Sequence, residues 1–155
     1  MTAHPHVNSP QSIEGLTKSN ARQVTSLVEM VAEEAGLQVN AIYGPDQDQF
    51  SVSFRRALWW CLRNGYGMTY PQIAKLFVST NGRAFNHSSV ISGCNAVKNE
   101  GMLVFNEDRG KWWPPSNNIP PSNPRLRQAL QIVAKAYNEL NPTNQINSWT
   151  VKNSL

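Results

Sequence analysis

A chain of 155 residues, 40% hydrophobic and 15% charged, with ten prolines and nine glycines, suits one globular domain with loose ends and excludes a coiled coil or a disordered polyampholyte. No apolar run approaches the roughly 20 residues that span a bilayer, and the start MTAHPHVNSP lacks the basic and apolar parts of a secretory signal, so a cytoplasmic protein without membrane contact is expected. The isoelectric point near 9.3 and net charge of +4 hide an asymmetry: residues 1–50 carry two basic and six acidic side chains, residues 51–155 twelve and four, and a positive field of that kind suits a polyanion.

Residues 1–18 read as a flexible tail in which His4 and His6 make no metal site. A first helix follows, capped by Ser19 or Asn20. Its apolar stripe is Val24, Leu27, Val28, Val31, Ala32 and Ala35, with Glu29, Glu33 and Glu34 off the stripe and Gly36 ending it. Leu37, Val39, Ile42 and Tyr43 predict a short second turn on the same core, and GPDQDQ a loop. A longer helix is expected over 53–63, burying Ala57, Leu58, Cys61 and Leu62. Trp59 and Trp60 point about 100° apart, so one is expected in the core and the other at the rim.

The strongest signals lie over 69–102. Thr69-Tyr70-Pro71-Gln72 has the form of a capping box. Ile73, Ala74, Leu76 and Phe77 continue a short helix to Val78, and Ser79-Thr80-Asn81-Gly82 is a turn. Asn86 then caps a second helix whose apolar stripe is Val90, Ile91, Cys94 and Val97, with His87 at its start and Ser88, Ser89, Ser92 and Asn95 off the stripe. Short polar side chains at the start of a helix can approach base edges, and its free N–H groups can meet phosphate. A plain helical hairpin with a serine-rich surface has the same pattern.

Residues 106–123, rich in Pro, Asn and Ser, read as a linker in which Trp112, Trp113, Pro114 and Pro115 cover the core or dock a peptide. A last helix over 124–141 opens on Asn123-Pro124 and carries Leu126, Ala129, Leu130, Val133, Ala136, Tyr137 and Leu140, and 142–155 reads as a loose tail. Cys61 and Cys94 lack a CxxC spacing and are expected reduced and buried, with no metal or disulfide.

The stretch 24–98 resembles the C-terminal DNA-binding domain of the bacterial replication initiator DnaA. LVEMVAEEAGLQVNAIY is similar to that domain's opening helix and short second element. RRALWWCLRNGYGMTYPQIAKLF is similar to its long helix and scaffold helix, with Arg55, Leu58, Arg63, Gly67, Thr69, Pro71 and Ile73 in matching places. Asn86-His87-Ser88-Ser89-Val90 resembles the signature Asp-His-Thr-Thr-Val that opens the recognition helix. The resemblance covers about half the chain.

It implies an all-α fold, a helix-turn-helix bundle of the Trp-repressor and DnaA C-terminal type, to which the C-terminal helix, outside the resemblance, is an extra element. The domain would span 19–105, with the helix over about 87–102 in the major groove of double-stranded DNA. It further implies that Asn86, His87, Ser88 and Ser89 approach bases and phosphates. With Arg55, Arg56, Arg63, Thr69, Lys75, Arg83, Ser92 and Lys98 they form the expected DNA-binding set. The departures are an acidic or neutral loop (Asp46, Asp48, Gln49) where the family is basic, and a longer connection, VSTNGRAF, in which Arg83 stands in for the family's arginine. No GxxxxGK[ST] phosphate loop occurs, so no nucleotide cofactor or ATP-driven assembly is expected.

The expected role is control of replication or transcription, by a stand-alone domain such as a phage or mobile element carries. The alternative is a helical interaction module that kept the fold and lost DNA binding, with a homodimer or protein partner engaged through 112–115 or 124–140. An enzyme is not expected, because His87 has no partner base, acid or nucleophile in the sequence pattern.

Overall fold

Six α-helices carry the fold of the computed structural model, which describes residues 9–44, 48–79, 83–100, 103–106, 111–113, 124–143 and 148–149. They are α1 (Lys18–Ala35), α2 (Val39–Tyr43), α3 (Gln49–Gly65), α4 (Tyr70–Ala74), α5 (His87–Glu100) and α6 (Pro124–Leu140). The helical class read from the sequence holds. Three short strands are added to it: β1 (Leu103–Asn106), β2 (Lys111–Trp113) and β3 (Ser148–Trp149). They form an antiparallel sheet in the order β2-β1-β3, with Val104 opposite Trp113 and Leu103 opposite Trp149. Two of the strands therefore fall in segments read as linker and loose tail. Pro114 and Pro115 lie outside the described residues.

The central element is α3. It packs against α6 on one side and α5 on another, with α2 and α4 completing its surround, while α1 lies on α6 and α2. This encirclement explains one departure from expectation. Trp59 and Trp60 are both buried, at 4% and 1% exposure, because no side of the helix between them is left to be a rim. The helix also begins earlier than its apolar stripe suggests. Asp48 caps it by accepting from the Ser51 N–H at 2.9 Å, which holds the Asp48 carboxyl below the usual carboxylate range. Gln49, next in the chain, accepts a hydrogen bond from Arg125 at the start of α6.

The opening segment is in part docked. Pro10 and Ile13 are buried, a 3₁₀ turn over Pro10–Ser12 leads into α1, and the cap of α1 is Thr17, whose hydroxyl accepts from Asn20 N–H at 3.1 Å. The stripe on α6 lies in the chain's own core: Leu126, Ala129, Leu130, Val133 and Ala134 are fully buried, and the Tyr137 hydroxyl donates to the Gly65 carbonyl at 3.1 Å. The apolar stripe of α6 is thus covered by α1 and α3.

Arg55 is the main correction among the expected DNA contacts. It is 2% exposed. Its Nε donates to the Ile42 carbonyl at 2.9 Å and its second guanidinium nitrogen to the Ala41 carbonyl at 3.2 Å, and its guanidinium sits 5.8 Å from the Phe85 ring centroid. The end of α2 leaves carbonyls without intrahelical donors, and a buried guanidinium supplies them. Arg55 therefore cannot reach a phosphate in this structure. Replacing Arg55 by Met should lower stability by about 2–3 kcal/mol in urea unfolding, since two carbonyls lose their donor in the interior. Arg22→Met, on the exposed side of α1, should stay within about 0.5 kcal/mol.

Candidate nucleic-acid interface

The candidate interface is built on α4, α5 and the connection between them. Thr69 accepts from the Gln72 N–H at 3.2 Å and the Gln72 side chain accepts from the Thr69 N–H at 2.9 Å, so the capping box forms as the sequence predicts. The Thr69 hydroxyl is thereby engaged in folding. Gln72 also donates to the Glu14 carbonyl at 2.8 Å, tying the opening segment to α4. The α4 helix is short, and the chain turns through Lys75, Leu76 and Phe77.

Val78 and Ala84 then form an antiparallel bridge, supported by Ser79 N–H to the Arg83 carbonyl at 2.8 Å and Phe85 N–H to the Phe77 carbonyl at 3.1 Å. Residues 80–82 lie outside the described set. The bridge brings Val78 and Ala84 side by side, so the extra residues of the connection need not separate α4 from α5. At its base Val78 N–H donates to the Tyr43 carbonyl at 2.7 Å. This close approach requires Gly44: its φ is +103°, and a Cβ there would stand 2.2 Å from the Val78 carbonyl oxygen.

The orientation of α5 is set by Trp59. The indole meets Phe77 edge-on at 5.7 Å and Phe85 at 5.2 Å, which are the residues leaving α4 and entering α5. It also presses on the helix at Gly93, where an added Cβ would be 2.5 Å from Trp59 Cε3 and 3.3 Å from Arg56 Cγ. Val90, Gly93, Cys94 and Val97 are buried on that side. Cys94 is desolvated and its thiol is pushed up to about 12, against the partial relief of the Arg63 charge, and burial raises the Cys61 thiol as well. Neither is a thiolate nucleophile at neutral pH.

The opposite side of α5 is exposed at His87, Ser88, Ser89, Ser92, Asn95 and Lys98. Asn86 caps the helix: its Oδ1 accepts from both the Ser88 N–H and the Ser88 hydroxyl at 3.0 Å. Among the other expected cations, Lys75, Arg83 and Lys98 are exposed and Arg56 is half-buried beside Gly93. Arg63 is exposed too, yet it donates to the Met68 carbonyl at 3.1 Å and stacks on the Tyr70 ring at 4.5 Å, joining the end of α3 to the start of α4.

Residues 49–98 contain six basic and no acidic side chains. The exposed acids Glu29, Glu33 and Glu34 belong to α1, which packs on α6 and α2, whereas α5 packs on α3 and α4. Sequence reasoning left two contributors unassigned: Gly93, whose signal was a glycine inside a helical stripe, and Asn95, which was placed off the stripe but given no role.

Among the described residues no group of three or more His, Cys, Asp or Glu is placed to hold a metal ion, and no helix is long and apolar enough to cross a membrane. No family model, curated protein or solved structure matches the chain.

Gly→Ala inside a helix ordinarily gains about 0.5–1 kcal/mol. Gly93→Ala should reverse that sign and cost about 1–3 kcal/mol in urea unfolding, because the rigid indole cannot yield. In a Trp59→Leu background the Gly93→Ala penalty should shrink toward zero, a coupling that a double-mutant cycle reads directly.

Proposed function

We propose that the protein binds double-stranded DNA with α4 and α5 acting as a helix-turn-helix, α5 lying in the major groove. One observation carries the reading: α5 is anchored by an aromatic platform on one side, and its exposed side chains over residues 87–98 are short and polar apart from His87 and Lys98. A helix entering a groove about 12 Å wide needs such a face, since bulky side chains would hold it away from the base edges. The resemblance to the DNA-binding domain of DnaA points the same way, with the serines standing where that family has threonines.

The division of labour follows from the geometry. Lys75, Arg83 and Lys98 are exposed cations suited to phosphates, with Arg56 at the edge of the same surface. Such contacts fix position and supply most of the affinity without selecting sequence. His87, Ser89, Ser92 and Asn95 face outward along α5 and suit base edges. Asn86 and Ser88 are joined to each other in the cap and so hold the start of α5 in place. Arg55 has no part in contact; it secures α2 behind the platform. The function is one of binding, in control of replication or transcription, with no chemical step.

The test is binding to a duplex across a salt series. Affinity should fall steeply with salt, and Lys75→Ala or Arg83→Ala should each weaken binding to every duplex and flatten the log–log salt slope by about one. Unchanged slopes in both variants would remove these cations from the interface. Absence of binding at low salt would overturn the reading in favour of a protein-interaction module.

A further inference from the structure

Resting on that reading, we infer that Asn95 fixes the sequence at one base pair of the site, where it recognises an adenine in the major groove. Ser88, Ser92 and Asn95 follow one another at helical spacing on the exposed side, over about 10 Å of helix axis, which matches about three base-pair steps. The chemistry of the three is unequal. The Ser88 hydroxyl is donated to Asn86 Oδ1 at 3.0 Å, within the cap. Ser92 offers a hydroxyl, which bonds either base of a pair and discriminates weakly.

Over residues 87–98 of α5, Asn95 carries the one side-chain amide, it is exposed, and it makes no hydrogen bond to any described residue. An amide presents a donor and an acceptor side by side, matching the N6 amino group and N7 of adenine and no other base edge in the same orientation. Nor can Asn95 slip sideways: its neighbour Cys94 is buried, and Gly93 is pressed on Trp59, so the rotation of α5 about its own axis is fixed.

The experiment begins with selection from a random-sequence duplex library by the wild-type protein and by Asn95→Ala, each confirmed folded by circular dichroism. The wild type should enrich a short motif containing an invariant adenine. The variant should enrich the same motif with that position relaxed and its salt slope unchanged. The selected duplex is then made with 7-deazaadenine at that position, which removes the N7 acceptor alone. Wild-type affinity should fall about 5- to 100-fold, the range of one base contact, and Asn95→Ala should bind the two duplexes equally. A variant that keeps the full motif, or that loses as much as the wild type on deaza substitution, overturns the assignment of Asn95 while leaving DNA binding standing. A wild-type protein that enriches no motif overturns both the assignment and sequence-specific reading.

Discussion

The arrangement of the proposed binding surface depends on where one indole lies. Trp59 projects from the central helix into the angle between α4 and α5 and touches the residue that leaves the first, the residue that enters the second, and a glycine in the second's middle. Three contacts on a rigid aromatic fix position, tilt and rotation together, which a single hydrophobic contact would not do. Rotation matters most. A turn of one residue about the axis, about 100°, would bury the serines and present Val90 and Val97. The Trp59 Nε1–H has no hydrogen-bond partner among the described residues. An unpaired interior donor is unfavourable, so the indole's contacts outweigh it.

Electrostatics and shape then act on the same surface. The longest stretch free of carboxylates, residues 49–99, builds α3, α4 and all of α5 but its last residue, Glu100, and the exposed acids of α1 belong to a helix packed elsewhere. Charge of one sign steers a polyanion from a distance. Short side chains let the backbone approach once contact is made. Arg55 shows why position in sequence is no guide to which cation serves which end: one residue before Arg56, it points inward and satisfies the carbonyls that close α2.

Much of this was legible before the structure. The stripes of α1, α5 and α6 are buried where periodicity placed them except at Ala35, Ile91 and Leu140, which are half-buried, and the Thr69 box and Asn86 cap form at the residues that signal them. What was not legible depends on contacts distant in sequence. Arg55 meets carbonyls 13 and 14 residues away. Trp59 and Trp60 share the interior because α3 is surrounded, a fact of topology that no window of one helix contains. Ile13 docks from a segment too short for a period, and the three strands are of two to four residues, below the length at which alternation is visible. The site divides the same way: the polar face of α5 was evident, while the glycine that sets its rotation was not.

The most direct test of the central claim is a heteronuclear NMR titration of the ¹⁵N-labelled protein with a DNA duplex at low salt. The account predicts that backbone amide shifts concentrate at His87, Ser88, Ser89, Ser92, Asn95 and Lys98, with Lys75 and Arg83 following and the exposed α1 residues Glu29, Glu33 and Glu34 unmoved. Shifts centred on α1 or α6, or none at all, would contradict it.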